Sequence, residues 1–254
     1  MNIKTAVQYR LFDSKRAIMI LYTTILSILL LTFLLASLAM QNYGLHDLSS
    51  LEIATMVFLF VIGLNSFREV FRMFVQNGIS RKTMFFSQVI FTFILSVGMA
   101  FIDKWAVFLG SLSKKVNVNF TCTGFFELLY GQRYAGYTNR IPMHLEGFIF
   151  NICNYAALMM LGYFITILYY RMNKGQKVTV SVGVPVFLIV VLPILDSILF
   201  QRAVGKMISS IWRVAFGFSN GYNPYFGMVT GLFATAVFGG LSWLMIRKTS
   251  VKDD

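Results

Sequence analysis

The residues of this chain that could do chemistry are few and scattered. Asp196 lies about a turn from the end of a long apolar stretch, three residues after Pro193. An ionisable side chain in such a stretch is costly to bury and is a functional candidate by default. Its carboxylate could attract a cationic substrate or pair with Arg202 or Lys206. Asp103, Lys104 and Glu146 fall at the edges of other apolar stretches, as does Glu52, and are expected at interfaces. Asn65, Ser66, Gln88, Asn151 and Asn154 can hydrogen-bond between helices. His46 and His144 are far apart and no metal-ligand spacing occurs, so no metal site is expected. Cys122 and Cys153 are not placed for a disulfide. Gly175-Gln176-Lys177 lacks the upstream glycine and the following hydroxyl of a phosphate-binding loop. Neither H-E-x-x-H nor G-x-S-x-G is present. No catalytic residues are therefore expected, and the chain reads as a conduit, receptor or scaffold rather than an enzyme.

The elements that must hold these residues are membrane spans. The chain is 57% hydrophobic, 16% aromatic and 13% charged, against about 25% charged in an ordinary soluble domain. Apolar stretches run over 17–40, 51–67, 84–102, 145–170, 178–200 and 225–246. Most approach or exceed the ~20 residues that a helix needs to cross a bilayer. Backbone in hydrocarbon must satisfy its own hydrogen bonds, so these stretches are expected to be helices. The fold class is all-α integral membrane, one domain of six spans over 1–254. The net charge of +12 concentrates in segments that share one side if the N-terminus is cytoplasmic. That distribution predicts N-in and C-in and does not call for nucleic acid. The first stretch is read as an uncleaved span, because it is longer than the apolar region of a signal peptide.

Between the spans lie four elements with patterns of their own. Residues 1–16 suit a short interfacial helix before span one. After span two, Phe67, Val70, Phe71 and Phe74 repeat at helical spacing, with Arg68, Glu69, Arg72 and Gln76 on the other face. Asn77-Gly78 should end this amphipathic helix, and Ser80 should cap the next one, ahead of Arg81 and Lys82. The segment 103–144 is the largest hydrophilic stretch, and its aromatics predict a small ordered outer cap. In 201–224, Val204, Met207, Ile208, Ile211, Trp212 and Phe216 keep helical spacing, which predicts an amphipathic helix on the outer leaflet. Pro185 and Pro193 predict a kink in span five. In span six Gly227, Gly231, Thr235 and Gly239 recur every four residues and should let another helix approach closely.

This order of parts resembles the membrane subunit of an ABC-2-type exporter over essentially the whole chain. Phe67 to Gly78, followed by Ile79-Ser80-Arg81-Lys82, stands where that family has its coupling helix, and 201–224 stands where it has short re-entrant helices. The Gly-Ile-Ser-Arg-Lys turn resembles Gram-positive members that export peptides, phenol-soluble modulins among them, or confer peptide-antibiotic resistance. The resemblance implies a permease in a bacterial cytoplasmic membrane, moving amphipathic peptides or other amphiphiles outward. It implies a cytoplasmic ABC ATPase as partner, which would carry the ATP and Mg, and a second permease copy, with no cofactor in this chain. Arg68, Glu69, Arg72, Gln76, Arg81 and Lys82 would face the ATPase, while Phe67, Phe71 and Phe74 would brace the lever. Spans one, two and five would line the path, with Asp196, Met207, Ile211 and Trp212 toward an outer gate. Two other readings stay open: a gradient-driven transporter, and a membrane sensor or immunity protein with no transport cycle.

Overall fold

The computed structural model describes residues 3–38, 46–49, 51–113, 120–135, 141–198 and 201–249. Helix α1 covers Ile3–Leu38, α2 Leu51–Asn65, α3 Arg68–Gln76 and α4 Arg81–Ser113. A short helix α5, Phe125–Tyr130, runs into a 3-10 turn at Gly131–Tyr134. Helix α6 spans Ile141–Arg171, α7 Lys174–Ile198, α8 Ala203–Ala215 and α9 Pro224–Arg247. Six helical segments are long and apolar enough to cross a membrane: within α1, α2 with α3, α4, α6, α7 and α9. The protein is a multi-pass membrane protein on that measure. Its chain directions put the N-terminus of α1, the α3 turn, the α6–α7 connection and the C-terminus of α9 at one end. That end holds Arg81, Lys82, Arg171, Lys174, Arg247 and Lys248 and is called the basic end below.

Several elements depart from the sequence expectation. Residues 3–38 form one continuous helix, not a separate interfacial helix and span. Nothing between Asp13 and Arg16 breaks a helix, and Ala6, Val7 and Arg10 are buried against the other helices. Residues 1–2 of the expected interfacial element lie outside the described residues. Helix α4 runs on to Ser113, well past residue 102, and so takes Asp103 and Lys104 inside a helix. A parallel ribbon of two short strands, β1 (His46–Ser49) and β2 (Phe120–Thr123), pairs His46 with Phe120 and Ser49 with Thr123. The ribbon lies outside the spans of an otherwise helical fold; extended backbone there has no helical ladder and finds its partners in another strand. Within α7, π-helical turns at Thr179–Gly183 and Phe187–Val191 flank Pro185 and precede Pro193. A proline has no N–H to give and crowds the preceding turn, so the ladder shifts register around it.

The core is built around α6, against which α2, α4 and α9 pack. Two glycines set the closest crossing. A Cβ on Gly63 would lie 2.2 Å from the Met159 carbonyl oxygen, and one on Gly162 would lie 2.3 Å from that of Phe60. Helices α2 and α6 therefore meet backbone to backbone, the close approach that small residues allow in membranes. At the basic end Phe67, Phe71, Phe74, Tyr163 and Ile167 form a fully buried cluster. At the other end Phe126, Tyr130, Phe150 and Met228 form another beneath the α5 cap.

Helix α7 stands apart. All its residues except Asp196 are exposed or half-buried, Ile189 at 73%.

Candidate functional site

The most built feature at the basic end is the turn between α2 and α4. Helix α2 ends where the Ser66 hydroxyl donates back to the Ile62 carbonyl, a local bond that competes with the helical ladder and bends it. Phe67 then turns inward and α3 begins. Phe67, Phe71 and Phe74 are fully buried. Phe67 stacks on Phe71 at 4.9 Å and meets Tyr163 and Tyr170 of α6 edge-on at 5.8 and 5.4 Å. Arg68, Glu69 and Gln76 are exposed, and Arg72 is half-buried. Helix α3 ends in a Schellman turn: the Ile79 N–H donates to the Phe74 carbonyl at 2.9 Å and the Gly78 N–H to that of Val75 at 3.0 Å. Gly78 adopts φ +66°, which a glycine takes without strain. Asn77 Nδ2 adds a bond to the Met73 carbonyl at 2.7 Å. The Ser80 hydroxyl accepts from the Thr83 N–H at 3.1 Å and caps α4. Arg81 donates to the Arg247 carbonyl, tying the turn to the end of α9; Lys82 is exposed beside it.

Behind this turn sits Arg10 of α1, 3% exposed. Its Nη1 donates to the Ser66 carbonyl at 3.1 Å and to Gln88 Oε1, and its guanidinium lies 5.5 Å from the centre of the Phe74 ring. Nε and Nη2 have no hydrogen-bond partner; the Tyr163 hydroxyl is a close neighbour outside hydrogen-bonding geometry. Arg10 thus bridges α1, the α2–α3 bend and α4. Arg10 falls in the 1–16 segment expected to be interfacial, where its spacing says nothing of these partners.

The second concentration of polar groups lies toward the opposite end. Asp103 of α4 accepts from the Tyr155 hydroxyl of α6 at 2.5 Å. It also accepts from Thr55 of α2 and Tyr22 of α1, both at 3.1 Å. Four helices meet on one carboxylate. Glu52, fully buried, accepts from Lys104 Nζ at 3.1 Å, from Asn151 Nδ2 at 2.7 Å and from the Phe125 N–H that opens α5. Glu52 and Asp103, expected at the ends of spans, are buried by side chains from other helices. Their partners are too far apart in sequence for spacing to join them. The legible signal was the presence of Tyr22, Thr55, Asn151 and Tyr155 within apolar stretches. Above them Tyr130 donates to the Phe216 carbonyl at 2.8 Å, and burial pushes its hydroxyl up to about 12. Tyr134 is also held above its ordinary range, by burial and by the bond it donates to the Glu146 carboxylate.

Asp196 is turned to the start of α8. Its Oδ1 accepts from the Val204 N–H and its Oδ2 from the Gly205 N–H, each at 2.8 Å, and its carbonyl accepts from the Arg202 N–H at 2.8 Å. Among the described residues its partners are backbone amides at the start of α8, not the side chains of Arg202 or Lys206. A helix start offers unpaired N–H groups and a positive dipole end, which outcompete a mobile cation. In α8 Met207, Ile211 and Trp212 stay 61%, 55% and 58% exposed. On α9, Gly227 and Gly231 lie against Phe150 and Cys153 of α6, and Gly239 against Met160. Thr235 turns its hydroxyl back to the Gly231 carbonyl at 2.9 Å.

No family model matches this chain, and neither a curated protein nor a solved structure does. Among the described residues no group of His, Cys, Asp and Glu could hold a metal ion.

Proposed function

We propose that this chain is the permease subunit of an ATP-driven exporter of ABC-2 type in a bacterial cytoplasmic membrane, its basic end cytoplasmic. The observation that carries the reading is α3. It is a nine-residue amphipathic helix whose aromatic face is clamped between spans and whose Arg68, Glu69 and Gln76 are exposed. A force on such an element passes into α2, α4 and α6 together rather than being absorbed by a loose loop. Arg68, Glu69, Arg72, Gln76, Arg81 and Lys82 are the groups offered to a cytoplasmic ATPase, which would carry the ATP and Mg. Arg10 would convey the movement to α1. Helix α7, exposed or half-buried except at Asp196, and the open apolar face of α8 leave room for a second permease copy. The cargo that suits an apolar, aromatic-rich path is an amphipathic peptide or another amphiphile.

The test is co-purification in mild detergent followed by ATP hydrolysis. A companion subunit with nucleotide-binding motifs should come down with the chain. Replacing Glu69 and Arg72 by alanine should abolish stimulation of its hydrolysis while the spans stay folded. Unchanged stimulation would remove α3 from the mechanism.

One observation favours a second reading. Asp103 is a carboxylate buried on a spanning helix, held by three hydroxyls and, among the described residues, by no ion pair, as a gradient-driven carrier would require. Transport that survives depletion of ATP but is lost in Asp103→Asn would favour that reading.

A further inference from the structure

Helices α4 and α9 both pack on α6, and an apolar groove of about 360 Å³ is lined by all three. Its floor is Ala156 and Met160 of α6, and its walls include Phe85 and Phe93 of α4 and Gly240 and Trp243 of α9. The hydroxyls that reach it are already used: Thr92 donates to Met160 Sδ at 3.6 Å, and Thr235 to the Gly231 carbonyl. The groove therefore offers nothing to a polar ligand. From Phe85 to Phe93 the helix rises about 12 Å, close to the ~15 Å of one leaflet's hydrocarbon. One turn beyond its basic-end mouth stand four cations, Arg81, Lys82, Arg247 and Lys248, all exposed. Phe85 and Trp243 pair at 5.2 Å, and Arg247 lies 6.0 Å from the Trp243 ring, so aromatic rings mark the boundary between the two zones.

The geometry points to a binding site for an anionic phospholipid, with an acyl chain in the α4–α9 groove and the headgroup phosphate among Arg81, Lys82, Arg247 and Lys248. Charge complementarity decides the occupant. A packed helix would fill the apolar groove and gain nothing from four cations at its mouth, whereas an acidic headgroup uses both features, as in other basic pockets between spanning helices. The site is independent of whether the chain transports anything.

The test uses the full chain in nanodiscs of phosphatidylcholine with a minor fraction of phosphatidylglycerol. Lipid retained after transfer to detergent is counted by native mass spectrometry. Wild type should retain phosphatidylglycerol above its share of the bilayer. Lys82→Gln with Lys248→Gln should lower that retention at least about fivefold, from the attraction expected per surface cation. Gly240→Leu should also lower it, by filling the groove; a Cβ at Gly240 meets nothing within 4 Å, and an unchanged melting midpoint checks that the fold is kept. Equal retention of phosphatidylcholine would overturn the headgroup assignment. Loss in the charge variant with full retention in Gly240→Leu would reduce the effect to surface attraction and overturn the groove. A Gly240→Leu variant that changes oligomeric state rather than lipid content would assign the groove to a helix and overturn the proposal.

Discussion

Gly162→Ala tests the packing on which every other feature depends. The new Cβ would stand 2.3 Å from the Phe60 carbonyl oxygen and 3.0 Å from the Leu64 nitrogen, both backbone. No side chain can swing aside, so α2 must retreat by about 1 Å to restore van der Waals contact. That retreat strains the bonds that join the two helices, Asn151 to Glu52 and Thr166 to the Leu64 carbonyl. Overpacking of this kind costs about 1–3 kcal/mol, a fall in melting midpoint on the order of 5 °C for a chain of this size. The control is Gly98→Ala, in the helix α4 with nothing within 4 Å of its Cβ. There the gain in helix propensity should leave stability equal or up to about 1 kcal/mol higher. Thermal unfolding of both variants in the same detergent gives the answer. A Gly162→Ala protein that melts with Gly98→Ala would refute the backbone contact between α2 and α6.

Three further outcomes follow from the same geometry. Asp103→Leu strands the hydroxyls of Thr55 and Tyr155, while Tyr22 keeps the Met99 carbonyl at 3.2 Å, and should cost about 1–3 kcal/mol; Asp103→Asn, whose amide oxygen can still accept both, should cost less in the same melt. Asp196→Ala uncaps α8 and should cost about 1 kcal/mol, seen as faster labelling of a cysteine placed at Ile211; an unchanged rate would contradict the cap. Gly78→Val places a β-branched residue at φ +66° where no neighbour touches it, so only backbone strain of about 1–2 kcal/mol acts. It should loosen α3 in hydrogen exchange, whereas Gly78→Asn should not.

The six apolar stretches were legible because hydrocarbon imposes a length and a composition. The amphipathic spacing after span two was legible because three phenylalanines fall on one face of a nine-residue helix. What the chain hides is convergence. Arg10 looks like a surface cation until α3 and α4 are folded over it. Asp103 looks like a span end until α4 is seen to run on to Ser113. Gly63 and Gly162 carry no periodic partner, so their meeting across two helices has no local signature. Asp196 was singled out for its charge, but the amides of Val204 and Gly205 become its partners only once the chain reverses at Gln201 and Arg202, both in the left-handed region.

The central claim is that α3 is the surface on which an ATP-hydrolysing partner acts. A photo-crosslinking residue placed at Glu69 tests it most directly, with one at Trp212 of α8 as the comparison. The account predicts a crosslink from position 69 to a subunit with nucleotide-binding motifs, changing in yield with ATP, and none to that subunit from position 212. A crosslink to that subunit from position 212, or silence at position 69 in an assembled complex, would contradict it.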